Sequence, residues 1–290
     1  MLTILFDGVA YGMLLFILAV GLAVTMGLMN FINLAHGAFA MVGGYATVVL
    51  MQRFQVPFLW CLPISFCLAA LIGAVLERTL YRPMYKRPHL DQVLFTIGLT
   101  FMAVAAMDYA MGSSQQIVQL PEWLKGRTEL GDGAWMLGMG HYRLFIIAVC
   151  AALTLGLQFV LAKTRFGSRL RAAVDDQRVA AGLGINVNLV FLSTFAVGSG
   201  LAGLGGALGA EVLGLDPVFP LKFMVYFLIV VAVGGTSSIT GPLLAALLLG
   251  IADVAGKYYI PKLGAFIVYS LMIAILIWRP QGLFVRKGGK

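Results

Sequence analysis

Long apolar runs alternate with short polar stretches along the whole chain. Spanning the hydrocarbon layer of a bilayer takes about 20 residues of helix, and several of the runs reach that length. Every backbone polar group must be bonded inside a bilayer, and continuous rather than alternating apolarity favours helices over a barrel. The pattern predicts an all-α polytopic integral membrane protein with about eight to ten transmembrane helices, some short or broken. The runs lie at residues 7–29, 33–51, 57–77, 92–111, 144–162, 189–213, 219–235, 242–256 and 263–278.

Composition supports this interpretation. Of the 290 residues, 61% are hydrophobic and only 11% are charged, whereas a soluble globular domain carries about 25% charged residues. Too few charges are present to cover a water-facing surface. We therefore treat residues 1–290 as a single transmembrane domain.

The positions of Lys and Arg predict the orientation, because cytosolic loops carry an excess of both. Residues 78–91, 163–188 and 279–290 hold 13 of the 20 Lys and Arg residues. These loops and the C-terminus are predicted to be cytosolic, with the N-terminus and the loop 112–141 external. The net charge of +8 then reflects topology and a surface that suits anionic headgroups, rather than binding to nucleic acid.

The cytosolic loop 163–188 predicts a short helix. Ser168 is a candidate N-cap, Gly182 and Gly184 would end the helix, and small apolar residues recur on one side at helical spacing. Such a face suits insertion into a groove on a partner protein, although a connecting helix resting on lipid headgroups fits equally well. The apolar residues are Leu170, Ala173, Val174, Ala180 and Ala181, and the polar residues around them include Arg169, Arg171, Asp175 and Asp176.

Two polar interruptions fall within apolar sequence. "NFINLAHG" spans residues 30–37 and "VGGTSSITGP" spans residues 233–242. Paired interruptions in the two halves of a transporter indicate broken helices beside the substrate path. The alternative is that these side chains only bond the backbone at a kink, with Asn30 capping one helix and Asn33 the next. The candidate path residues are Asn30, Asn33, His36, Thr236, Ser237 and Ser238.

Small residues line one face of the run 189–213. Such faces allow close helix approach in lipid, so we predict a tight packing seam. Its members are Gly198, Ala202, Gly205, Gly206 and Gly209. Among the few acidic residues in or near spans, Glu77 has Arg78 beside it and Asp253 has Lys257 one turn on, so both are expected to be paired.

Enzyme chemistry has little support. The chain contains no G-x-x-x-x-G-K-[ST] phosphate loop, H-E-x-x-H, G-x-S-x-G or C-x-x-C sequence. Its three histidines are far apart, and its three cysteines lie within predicted spans, where they serve as packing residues. We expect no catalytic residue, metal or cofactor in this chain.

Four stretches together resemble the membrane subunit of branched-chain amino acid ABC importers, the LivH type of permease. They are "GLAVTMGLMNFINLAHGAFAMVGGY" (21–45), "RLRAAVDDQRVAAGLGINV" (169–187), "VAVGGTSSITGPLLAALLLG" (231–250) and "WRPQGLF" (278–284). The resemblance implies the ABC importer permease fold in a bacterial inner membrane, a second homologous permease subunit, two cytosolic ATPase subunits that bind Mg-ATP, and an external solute-binding protein.

The same resemblance identifies residues 169–182 as the coupling helix that docks on an ATPase subunit. Ala180, Ala181 and Gly182 fall where the family places small residues, but Arg171-Ala172-Ala173 replaces the Glu-Ala-Ala sequence of other ABC permeases. The alternatives are a related permease for urea, short amides or another small solute, an independent secondary transporter, and a structural or receptor-type subunit.

Overall fold

The structure is a computed structural model that describes residues 1–29, 31–130, 137–235, 239–279 and 282–283. Within these ranges the chain is a bundle of helices with one short antiparallel hairpin. The helices are α1 (Leu2–Met29), α2 (His36–Phe54), α3 (Phe58–Leu76), α4 (His89–Met111), α5 (His141–Lys163), α6 (Arg165–Asp175), α7 (Gln177–Gly182), α8 (Val187–Leu213), α9 (Phe219–Gly234), α10 (Thr240–Tyr259) and α11 (Gly264–Trp278). The strands are β1 (Arg127–Leu130) and β2 (Leu137–Gly140).

Six helices of the described chain are long and apolar enough to cross a membrane, namely α1, α3, α4, α5, α8 and α10. The helices α9 and α11 are shorter and also apolar. Because every predicted run corresponds to a helix of this bundle, the predicted all-α polytopic fold is confirmed. α1 is largely enclosed by other helices, whereas α4 and α5 expose most of their surface, as expected for helices that face lipid.

α8 packs against α1, α2 and α3 in the centre of the bundle. The five small residues of the seam are all buried. Gly206 lies against the backbone of Ala40 in α2, and Gly198 lies against Gly21 in α1. These contacts bring main chains together with no side chain between them, which is how small residues stabilise helix pairs in lipid.

α1 and α10 run antiparallel, and the contacts between them show which part of α1 lies beside the start of α10. Gly8 lies against Ile251, and Gly12 lies against Ala246 and Leu247. Since both helices rise by about 1.5 Å per residue, the first turn of α10 lies beside the middle of α1. α2 also begins there, because the His36 side chain bonds the backbone of Leu18.

Two local predictions are wrong. The loop 163–188 forms two helices, because Asp176 leaves the helical conformation and caps α7 by accepting hydrogen bonds from the N–H groups of Arg178 and Val179. Thr164 rather than Ser168 caps α6. Among its described residues, the external loop contains the strands β1 and β2 and a 3₁₀ turn at Glu122–Leu124.

Candidate functional site

Within the first interruption, residues 31–35 form a non-helical segment between α1 and α2. Two backbone groups of Ile32 lie beside α4. The Ile32 N–H donates to Oε1 of Gln92 at 3.3 Å. The Ile32 carbonyl oxygen lies 3.5 Å from Oγ1 of Thr96, whose shorter hydrogen bond, at 2.9 Å, goes to the Gln92 carbonyl. Gln92 and Thr96 are both buried. Because backbone groups inside a bilayer must be bonded, the hydrogen bond from the Ile32 N–H to Gln92 helps to stabilise the interruption.

Asn33 is buried, with 1% of its surface exposed. Its Oδ1 accepts a hydrogen bond from the Tyr81 hydroxyl at 3.1 Å, while its Nδ2 has no partner among the described residues. It does not cap α2, whose N-cap position is Ala35, with no side-chain hydrogen bond. The predicted capping role of Asn33 is therefore wrong, because its amide turns toward Tyr81.

His36 occupies the first position of α2. Its Nε2 lies 2.9 Å from the carbonyl oxygen of Leu18, and Phe39 and Phe227 pack edge-on against its ring. Only 2% of its surface is exposed. The imidazole therefore holds the start of α2 against α1 and α9, and it has no carboxylate partner among the described residues.

A π-helical turn at Glu77–Tyr81 follows α3 and leads into a 3₁₀ turn at Arg82–Lys86. Glu77 is completely buried and pairs with Arg82 at 3.1 Å, so the expected pairing with the adjacent Arg78 is wrong. The Tyr85 hydroxyl also donates to Glu77 at 3.3 Å. π-helical turns are rare and recur at functional sites, and this one aims Tyr81 at Asn33.

Aromatic contacts connect this turn to both the interruption and the loop helices. The ring of Phe31 lies 5.5 Å from that of Tyr81 and 5.3 Å from that of Tyr85. Tyr85 in turn lies 6.1 Å from Phe191 of α8. Phe191 belongs to the small core beneath α6 and α7, so a continuous set of packed rings joins the loop to the interruption.

The second interruption is described only at its edges. α9 ends at Gly234, and Gly235 adopts a positive φ of 80°, a conformation that favours glycine. The Leu283 N–H donates to the Val233 carbonyl at 2.8 Å, so residues 282–283 lie against the end of α9. Four candidate path residues lie outside the described residues: Asn30, Thr236, Ser237 and Ser238.

The loop helices are attached firmly to the bundle. Leu170, Ala173 and Ala180 are buried against Val190 and Phe191 of α8. α7 ends at Gly182, and Gly184 two residues later adopts a positive φ of 81°. The N–H groups of Ile185 and Gly184 donate to the carbonyls of Ala180 and Ala181 and complete the cap. The apolar side predicted from spacing therefore faces this chain's own core, except that Val174 is partly covered and Ala181 is exposed. The other predicted docking residues are exposed: Arg169, Arg171, Asp175, Asp176 and Gly182.

Sequence reasoning missed Tyr81, Gln92 and Thr96 as partners of the first interruption. Gln92 and Thr96 follow one another by four residues on α4, so their shared helix face was visible. Nothing in the sequence indicates that this face meets residues 31–33, since about 60 residues separate the partners.

Comparison with known proteins is consistent with this architecture. A family profile described as "Branched-chain amino acid transport system / permease component" matches residues 4–276. The high-affinity branched-chain amino acid transport system permease protein BraD of Pseudomonas aeruginosa is 26% identical, over 97% of this chain and 95% of the relative. The corresponding LivH protein of Escherichia coli is also 26% identical, over 97% and 94%.

The LivM permease protein of Escherichia coli is 26% identical over 93% of this chain and 68% of its own length. No solved structure matches the chain. The family match covers nearly all of the sequence and includes both interruptions and the loop helices. This chain is therefore a multi-pass membrane protein that belongs to the permease component family of branched-chain amino acid transport systems.

Proposed function

We propose that this chain is a membrane-spanning permease subunit of an ATP-driven importer of branched-chain amino acids. The match of residues 4–276 to the permease family is the observation that carries the proposal. The chain would lie in the bacterial inner membrane with its N-terminus outside and its C-terminus in the cytosol. ATP hydrolysis would take place in two separate cytosolic subunits that bind Mg-ATP, and an external binding protein would deliver the solute.

The similarity to both LivH and LivM proteins supports a pair of homologous permease subunits. Each would supply half of the substrate path. Alternating access would then be a rocking of the two subunits about their interface, driven by ATP binding in the partners.

The exposed side of α6 and α7 is the proposed docking surface for an ATPase subunit. Val179 and Leu183 are more than half exposed, and Ala181 and Gly182 lie beside them. Gly182 has no atom within 4 Å of where a Cβ would be, so a partner side chain fits there. The buried residues Leu170, Ala173 and Ala180 would hold this surface rigidly and pass its movement to α8.

The two interruptions are proposed to border the substrate path. Both α2 and α10 begin beside the middle of α1, the depth at which transporters place broken helices. Asn33 and His36 are buried within this chain, so their contribution is to fix the shape of the interruption. The residues proposed at the second interruption are Thr236, Ser237 and Ser238.

Reconstitution tests the function. The complete transporter is purified with its native partners and placed in proteoliposomes, and uptake of labelled leucine is measured with and without ATP on the side of the ATPase subunits. We expect uptake that requires both ATP and the solute-binding protein. Uptake by this chain alone under an ion gradient would indicate a secondary transporter instead.

Substrate class is tested in the same vesicles by competition. Unlabelled leucine, isoleucine and valine are expected to compete with labelled leucine, whereas urea and acetamide at equal concentration are not. Competition by urea or acetamide alone would reassign the protein to the related permeases for those solutes.

A further inference from the structure

A cavity of about 360 Å³ opens between α1, α5, α8, α9 and α10, apart from the described residues of both interruptions. It lies at the end of the bundle where α1, α5 and α9 begin and α10 ends. In the proposed orientation this is the external end. Cavities of this volume are within the range that holds small molecules.

Charges of both signs line the cavity. Asp7 of α1 pairs with Arg143 of α5, and Asp253 of α10 pairs with Lys257 on the same helix. The Tyr226 hydroxyl of α9 also donates to Asp253 at 3.3 Å. Lys222 of α9 completes the polar lining.

Asp253 is buried and Asp7 is partly buried, whereas the cations paired with them are more exposed. The side chain of Asp253 is 2% exposed, whereas that of Lys257 is 55% exposed. Asp7 shows the same asymmetry with Arg143, at 18% against 44%. One oxygen of Asp7, Oδ1, is buried and has no hydrogen-bond partner among the described residues. An acceptor left in this state is ready to take a donor from a ligand.

The charges of the cavity nearly cancel. Its lining holds two carboxylates and three cations, and one of the cations, Lys222, is paired with Asp216 just outside the lining. A ligand with a net charge would therefore gain little from the cavity as a whole. A ligand that carries one positive and one negative group can instead insert between a carboxylate and its paired cation. Its positive group then binds the carboxylate and its negative group binds the cation.

Aliphatic side chains complete the wall. Leu14, Ile146 and Val254 line the cavity together with the ring of Phe223. An apolar wall next to charged groups of both signs matches a small molecule with a charged end and a hydrocarbon chain.

We propose that this cavity is a binding site for a zwitterionic aliphatic α-amino acid. The ligand ammonium would donate to Asp7 Oδ1 and Asp253, and its carboxylate would accept from Arg143 and Lys257. The side chain would lie against Leu14 and Ile146. The site receives solute before it enters the path between subunits. The choice of an amino acid rests on the proposed function, while the requirement for both charges rests on the cavity.

Binding to the purified transporter tests the site. The complete transporter with its native partners is placed in phosphatidylglycerol nanodiscs, and labelled L-leucine binding is measured without the solute-binding protein and without ATP. Unlabelled leucine should displace the label. We expect 4-methylpentanoate, which lacks the ammonium, and 3-methylbutylamine, which lacks the carboxylate, to be at least about tenfold weaker, since each loses charge-assisted hydrogen bonds.

Variants separate binding from structure. Asp7→Asn and Asp253→Asn should each weaken leucine binding by about tenfold or more. Glu129→Gln is the matched control, because Glu129 forms an exposed pair with Arg127 away from the cavity. The double variant Asp7→Arg with Arg143→Asp restores an ion pair in reversed order. If that double variant binds leucine normally, the pair is structural only and the proposal is wrong.

The remaining outcomes are equally decisive. Unchanged leucine binding in Asp7→Asn and Asp253→Asn overturns the proposed site. If ATP-dependent leucine uptake persists in the same preparation, the proposed function stands. Absence of leucine uptake by the parent protein instead counts against the function. Phosphatidylethanolamine carries a comparable pair of charges, so the measurement is repeated with that lipid. Binding of the headgroup in place of leucine also overturns the proposal.

Discussion

Replacing Gly206 with alanine should separate α2 from α8. A Cβ atom built on Gly206 would lie 1.8 Å from the carbonyl oxygen of Ala40 and 2.6 Å from its carbonyl carbon. Both atoms belong to the backbone, so no rotamer change relieves the contact. Raising the shorter distance to the 3.0–3.4 Å range of tight real contacts requires a separation of about 1.2–1.6 Å.

That separation also weakens the contacts around it. Gly43 faces Gly203 across the same pair of helices, with a built Cβ only 2.0 Å from the Gly203 carbonyl oxygen. A radial gap of about 0.5–1 Å already loses a quarter to a half of the dispersion energy of a contact. Overpacking costs about 1–3 kcal/mol by itself. We therefore expect Gly206→Ala to destabilise the protein by about 3 kcal/mol or more.

Thermal unfolding in detergent measures the effect. A maleimide dye that fluoresces on reaction with thiols reports unfolding on a Cys67→Ala background, because Cys67 is exposed whereas Cys61 and Cys150 are buried in the folded chain. At about 2 °C per kcal/mol for a chain of this size, Tm should fall by about 6 °C.

Gly209→Ala is the matched control on the same helix. Its built Cβ would meet Cδ1 of Leu213 at 3.1 Å and Cδ2 of Leu14 at 3.6 Å. The closest contact is therefore with the tip of a side chain, which can rotate away. We expect its Tm to stay within about 2 °C of the parent protein. Equal Tm values for Gly206→Ala and Gly209→Ala would refute the assigned packing of α2 on α8.

Three further predictions follow from the site. Gly182→Trp should leave Tm unchanged, since no atom lies within 4 Å of the new side chain's first carbon. It should reduce leucine uptake per ATP hydrolysed in proteoliposomes, and an unchanged ratio would contradict the proposed docking surface. Tyr81→Phe leaves Oδ1 of Asn33 without its donor and should lower the unfolding free energy by about 1–3 kcal/mol, and adding Asn33→Leu should recover part of that loss. Glu77→Gln removes the buried charge paired with Arg82 and should lower the unfolding free energy by about 1–3 kcal/mol in the same thermal assay. Its control, Glu122→Gln, lies in an exposed pair and should lower it by less than about 0.5 kcal/mol.

Apolar run length was sufficient to predict the helices. Each of the nine runs became a helix, because inside a bilayer a backbone has few ways to bond its own polar groups. Local capping was predicted less well. Ser168 and Thr164 are both competent caps four residues apart. In the structure Thr164 is the cap, and Gly167 packs so closely on the end of α5 that a Cβ there would meet the Leu161 backbone.

The sequence by itself also determined that polar residues at 30–37 interrupt a helix, since amides and an imidazole in apolar sequence need partners. Which partners they take was decided by the tertiary structure. Tyr81, Gln92 and Thr96 reach residues 31–33 only because a π-helical turn and α4 fold back across the start of α2.

The charged cavity at the other end of the bundle also combines one contact that the sequence predicts with one that only the tertiary structure decides. Sequence spacing predicts the pairing of Asp253 with Lys257, which are one helical turn apart and form an ion pair in the structure. The pairing of Asp7 with Arg143 joins residues that are far apart in the chain, and no local pattern encodes it. Helix periodicity governs interactions between residues that are a few positions apart. Contacts between helices depend instead on how the helix surfaces fit together, and that fit places charges from four helices around the cavity.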